Sequence, residues 1–316
     1  MTVTPPLRAS ALAISLGAAC LLLASHSSAY CRTRTCNPTK SNCASENGCV
    51  ITGEFLHWPN GCVSFSVNQA GSPLRQISFD TADNLITDAF SKWLAADCGG
   101  GKRPALAVNN FGPTACGERG YNPKGPNSNE WMFIDSGWMP LNDAHTLALT
   151  TVTHHPTGQI LDVDVEINSA NSLITTDDTN VGADLESIVT HEAGHFLGLA
   201  HSEVTKATMF SSYLPGDPFM RDLDPDDVAA ICAVYPAGRP VAKPSCEPRG
   251  GFTQQCLEEL STGGCGCHVA SSGGKCVPSG RRTLPLTTSG FVLMGAAFVL
   301  WVRRRRQTPR AGFAPR

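Results

Sequence analysis

The chain has 316 residues, of which 41% are hydrophobic, with a formal net charge of −3 and 14 cysteines. That length and apolar fraction exclude a disordered chain and leave room for one large or two modest domains. Nine of the 24 basic residues lie in residues 1–29 and 281–316, which hold none of the 27 acidic ones, so the stretch between is strongly acidic and ill suited to nucleic acid.

Residues 1–29 read as a signal peptide: Arg8, an apolar run over 11–24, then Ser27-Ser28-Ala29 as a cleavage site. Export agrees with the cysteine count. Cys20 would leave with the leader, so thirteen cysteines remain and at least one is free, modified or paired with another chain. Residues 30–54 form a Cys-rich segment too poor in apolar residues for a core of its own, and disulfides are expected to hold it. Cys36 in Arg34-Thr35-Cys36-Asn37-Pro38 is read as a structural disulfide rather than as a thiolate that blocks a metal.

From Cys62, the residues Val63, Phe65 and Val67 alternate with Ser64, Ser66 and Asn68 as in a half-buried strand. A helix follows, capped by Asp80 or Thr81, with Ile86, Ala89, Phe90, Trp93 and Leu94 on its inner face. Residues 98–129, rich in Gly, Pro and Asn, are expected to be loop, with Cys98 and Cys116 a plausible pair. Short strands are expected at 131–134, 146–153 and 160–167, the last two joined by the turn His154-His155-Pro156-Thr157-Gly158. In the last strand Asp162, Asp164 and Glu166 share one face, which reads as a solvated polar face with a structural calcium site as the functional alternative.

A second helix begins near the N-cap Asp184 and carries His191-Glu192-Ala193-Gly194-His195 and, beyond it, Gly198 and His201. Positions i and i+4 share a helix face, so His191 and His195 can present two imidazoles to one ion. Gly198 can take the positive φ that ends the helix and returns the chain, so that His201 completes a three-nitrogen site. Three protein ligands leave zinc a fourth position for water, the catalytic arrangement, and Glu192 lies beside them as a general base. Asp224-Pro225-Asp226-Asp227 opens a last helix running to about Val234, with a capping residue, Pro at its first position and acids at the positive end of the helix dipole. A linker over 237–245 and a Cys/Gly-rich segment over 246–283 follow. Residues 284–302 read as a membrane-spanning or sorting helix and 303–316 as a basic cytoplasmic tail.

Over about residues 55–236 the chain resembles the metzincin metalloproteases, and among them the matrixins, on the HExxHxxGxxH motif, Ser202 and the Met-turn-like Ala207-Thr208-Met209-Phe210-Ser211-Ser212-Tyr213. Ser211 departs from the proline common there. The resemblance implies an α+β (α/β-like) metzincin catalytic domain, a twisted, mostly parallel five-stranded sheet with three helices, flanked here by Cys-rich segments. It also implies that Met209 forms an apolar floor under the zinc and that Tyr213 lines the pocket for the residue after the scissile bond. Residues 146–152 would be the edge strand along which a substrate adds as an extended strand. The strands lack the histidines that hold a second, structural zinc in vertebrate members. The carboxy terminus resembles a myxobacterial sorting tail, with Cys265 and Cys267 of Gly264-Cys265-Gly266-Cys267 as the sorting or anchor cysteines.

The expected protein is thus an exported or surface-anchored monomeric zinc endopeptidase acting on protein or peptide substrates, with Glu192 catalytic and His191, His195 and His201 on Zn2+. It would touch the membrane through its carboxy-terminal helix or tail and bind no nucleic acid. The competing reading is a catalytically inert metzincin-fold module for surface binding or adhesion.

Overall fold

The computed structural model describes residues 29–38, 41–115, 117, 119–138, 144–241 and 246–255, and the backbone of 295–302. Residues 1–28 of the expected signal peptide, Cys265 and Cys267, and the basic tail fall outside the described residues.

The alternation at Val63, Phe65 and Val67 becomes strand β1 (Cys62–Asn68). Ser64 and Ser66 are buried as well, because β1 lies inside a sheet and its second face is covered. β2 (Ala107–Thr114) pairs with β1 in parallel, and β3 (Glu130–Phe133) joins β1 on its other side, also in parallel. β2 falls in the stretch expected to be loop. Its Asn, Gly and Pro are poor strand formers, tolerated because it is an outer strand whose Pro113 can lack a ladder donor. β4 (Thr146–His154) and β5 (Ile160–Ile167) form the expected hairpin, with β5 parallel to β3. These five strands, in the order β4-β5-β3-β1-β2, make the mostly parallel sheet.

Three helices complete the domain. α1 (Phe79–Leu94) starts at Ser78, whose side chain accepts from the Thr81 N–H, rather than at Asp80 or Thr81. α2 (Leu185–Phe196) starts at Asp184 as expected, the carboxylate accepting from Ser187 N–H. α3 (Pro225–Val234) has the expected Asp224 cap and Pro at its first turn. Phe65, Phe90, Trp131 and Phe196 form one aromatic cluster, with centroids 4.7 Å apart for Phe65–Phe90, 5.2 Å for Phe90–Phe196 and 5.8 Å for Trp131–Phe196. It joins the sheet to α1 and α2, each such pair adding about 0.5–1.5 kcal/mol beyond area burial.

Four disulfides lie among the described residues: Cys31–Cys49, Cys36–Cys43, Cys62–Cys246 and Cys98–Cys232. Cys36 is therefore bonded and offers no thiolate. Cys98 does not pair with Cys116: the stretch after α1 meets α3, and Cys232 is the sulfur it finds there.

The outer edge of β4 carries a further strand. β7 (Gly295–Val302) runs antiparallel to β4 and parallel to the short β6 (Ser212–Tyr213). These residues were expected at the end of a membrane helix. An apolar run carries no periodicity that separates helix from strand, and here its backbone groups find partners on an open edge instead of within the run. No helix among the described residues is long and apolar enough to cross a membrane.

Candidate active site

His191 and His195 sit one turn apart on α2 and are fully buried, and His201 follows the turn at the helix end. Gly198 has φ +94°, and a Cβ there would stand 2.8 Å from the Leu56 carbonyl oxygen, so both conformation and space call for glycine. The Nε2 atoms of His191 and His195 are 3.1 Å apart, and those of His195 and His201 3.2 Å. Nitrogens around a tetrahedral ion at about 2.0–2.1 Å would be separated by about 3.3 Å, so the set fits zinc.

The other ring nitrogens set the tautomers. His191 Nδ1 lies 2.6 Å from the Thr208 carbonyl and His195 Nδ1 2.9 Å from that of Leu199, so each donates there and leaves Nε2 as a lone-pair donor. Burial, with His201 close by, pushes His191 down to about 3, and burial pushes His201 down to about 4. His195 is driven well below its ordinary value by burial and the two other rings. All three are neutral imidazoles, the form a metal takes. Among the described residues these three form the one His/Cys/Asp/Glu cluster with converging ligand atoms.

Glu192 is fully buried next to the triad, and burial pushes its carboxyl up to about 8 while a bond from Thr150 acts downward. Its Oε2 accepts from Thr150 Oγ1 at 2.5 Å, and its Oε1 has no partner among the described residues. Met209 is buried, and a Cβ on Gly194, between the first two histidines, would lie 2.2 Å from its sulfur. The thioether therefore packs directly against α2 between the two histidines. Tyr213 is also fully buried, and its hydroxyl accepts from the Asp184 N–H at 3.0 Å, tying the chain after Met209 to the start of α2. A cavity of about 580 Å³ beside this segment is lined by Lys206, Phe210, Ser212, Leu214, Phe219 and Leu223 and has none of the histidines in its wall.

Several supports escaped the sequence. Asp227 accepts from the backbone N–H groups of Thr208 at 2.7 Å, Met209 at 3.0 Å and Asp224 at 2.9 Å, so a residue read as a helix-dipole acid holds the Met-turn. Asp226 accepts from Ser202 Oγ at 2.7 Å and from the N–H groups of Ala29 and Tyr30 at 2.8 and 3.1 Å. Arg221 clamps the Asp184 carboxylate at 2.8 and 2.7 Å and so secures the N-cap of α2. The amino-terminal segment packs on the turn to His201: Thr33 N–H donates to the Gly198 carbonyl and Ala200 N–H to that of Cys31, each at 3.0 Å. Helical spacing had pointed to the histidines, but no local signal marks a partner 170 residues away.

The calcium expectation at Asp162, Asp164 and Glu166 gains no support, and the solvated-face reading also fails. Asp162 and Asp164 are buried, and residues 119–120 cross this face, where Arg119 pairs with Glu166. Asp164 accepts from the N–H groups of Gly120 and Glu130 at 2.8 and 3.1 Å, which leaves no converging oxygen cage. Burial lifts Asp162 well up and Asp164 to about 8. It lifts the neighbouring Glu130 from 4.5 to about 7, against hydrogen bonds from Thr114 and Asn68. A carboxyl whose pKa is higher folded than unfolded adds stability that is complete below the unfolded value and lost as pH rises through the folded one. Glu130 should therefore withdraw on the order of 3 kcal/mol between its unfolded and folded pKa values, from 4.5 to about 7. Glu130→Gln keeps the acceptor for Thr114 and should flatten this decline in urea titrations across that range. An unaltered slope would refute the assignment.

Residues 138–236 match the family model for Matrixin. The chain is 40% identical over 75 residues to Metalloendoproteinase 1-MMP of Arabidopsis thaliana, covering 22% of this chain and 20% of the relative. It is 48% identical over 60 residues to Matrix metalloproteinase-19 of Mus musculus, with 19% and 11% covered. It is 38% identical over 60 residues to Matrilysin of Homo sapiens, with 19% and 22% covered. The chain thus spans at most 22% of the length of these relatives. The matched residues contain the triad, Glu192 and the Met209 turn, so the similarity to matrixins covers the residues that form this site.

Proposed function

We propose that the domain is a zinc endopeptidase that hydrolyses peptide bonds in protein substrates. The observation that carries the reading is the convergence of three neutral imidazoles beside a buried glutamate with one unpartnered oxygen. His191, His195 and His201 would hold Zn2+, which when bound lowers the pKa of a water and polarises the scissile carbonyl. Oε1 of Glu192 would accept the proton of the attacking water and return it to the departing amine. Met209 supports the helix beneath the ligands, and Ser212-Tyr213 flanks the site as one wall of the substrate cleft. An extended substrate is supported by the edge of β4, which accepts an antiparallel strand in this structure.

An inert binding module has no use for a buried carboxylate with an orphaned oxygen, whose desolvation lowers stability. Casein separates the two readings. Hydrolysis should be abolished by a chelator and restored by zinc, and casein left intact by the zinc-loaded chain would favour the binding module.

Export belongs to the same proposal, supported by the leader-like residues 1–29 and the four disulfides. Surface retention by the carboxy-terminal tail is supported by the order of Gly-Cys pair, apolar run and arginines. Retention in a membrane would require residues 295–302 to leave β4, and cell fractionation with mass analysis of the mature chain tests it.

A further inference from the structure

The row of β4 that alternates with Leu147, Leu149 and Thr151 is Ala148, Thr150 and Val152, all fully buried. Thr150 is the one hydroxyl among these three, and it is 2.5 Å from Oε2 of Glu192. Threonine is branched at Cβ, so its χ1 is stiff and the direction of the hydroxyl follows from the strand backbone. Residue 150 pairs with Val165 on the inner neighbour strand and with Phe298 on the outer edge. The donor to Glu192 is thus built into β4, the strand proposed above to take the substrate.

The two oxygens of Glu192 are unequal. Oε2 is committed to Thr150, while Oε1 is buried with no partner among the described residues. We infer that Thr150 is a positioning residue, whose hydroxyl pins Oε2 of Glu192 so that Oε1 alone is presented for proton transfer. The inference rests on the proposed role of Glu192 as general base and adds a residue that the zinc motif does not contain. Without the hydroxyl, the carboxylate keeps its place on α2 but loses the one side-chain bond that selects its rotation, and proton transfer is sensitive to such misalignment.

The test uses the full chain with quenched-fluorescent casein. Thr150→Val, nearly the same shape, should lower kcat by about 10–100-fold, leave KM within about twofold and keep one zinc per chain. Thr150→Ser, which restores a hydroxyl, should recover most of the rate. A readout independent of turnover is the thermal midpoint of the zinc-free chain: Thr150→Val should lower it more with Glu192 present than in a Glu192→Ala background. A kcat unchanged in Thr150→Val, a serine variant no better than valine, or equal midpoint shifts in the two backgrounds would each overturn the inference. If valine prevents folding, Thr150→Ala carries the same comparison. Hydrolysis that survives Glu192→Ala would instead overturn the general-base reading, so the two failures are distinguishable.

Discussion

Replacing Glu192 by alanine should lower kcat/KM for casein by about 10³-fold or more while zinc still binds at one ion per chain. The three imidazoles are oriented by groups that do not involve Glu192: the carbonyls of Thr208 and Leu199 and the turn at Gly198. Metal binding should therefore persist. The substitution also removes a fully buried carboxylate with an unpartnered oxygen, so the zinc-free variant should be at least as stable as the native chain. This combination of intact metal, equal or higher stability and lost turnover separates a catalytic role from a structural one. Activity within tenfold of the native chain would remove Glu192 from the mechanism.

Asp227→Ala should give the opposite pattern, a large loss of stability together with weaker zinc binding. One carboxylate accepts from three backbone N–H groups, and its removal strands the buried donors of Thr208 and Met209 and the half-buried one of Asp224. Each lost partner costs about 1–3 kcal/mol, so the thermal midpoint should fall by about 10 °C or more. The Thr208 carbonyl orients His191, so zinc affinity should drop about 10–100-fold, as when an outer partner of a metal ligand is lost. Asp227→Asn keeps one acceptor oxygen and should fall between. Calorimetry and competition with a zinc chelator measure both effects. A midpoint within about 2 °C of the native one, with zinc affinity unchanged, would show that the Met-turn does not depend on this carboxylate.

The convergence of the three histidines was legible because its geometry is local. His191 and His195 are related by one helical turn, and Gly198 ends that helix in a way a positive φ makes recognisable. The caps at Asp184 and Asp224 were legible for the same reason, since an N-cap is read from four neighbouring residues. Met209 and Tyr213 came into view only through resemblance. The structure gives their contacts a physical form, sulfur against Gly194 and hydroxyl on the Asp184 N–H.

The misreadings share a cause. Alternation of Asp162, Asp164 and Glu166 with apolar residues describes two faces of a strand but does not say whether residues 119–120 cover the polar one. Residues 107–114 look like a loop by composition and become a strand because β1 offers a partner. The apolar run at 295–302 satisfies a helix or a strand equally, and the open edge of β4 decides in favour of a strand.

By itself the amino-acid sequence determined the order of the helices, the three converging histidines and the neighbouring carboxylate, because these depend on spacings of a few residues. Only the tertiary structure decided what orients them: Thr150 on Glu192, Thr208 on His191, Asp227 under the Met-turn and residues 31–33 beside the chain leading to His201. Those are hydrogen bonds between segments distant in the chain, and their partners are chosen by packing, which no local pattern encodes.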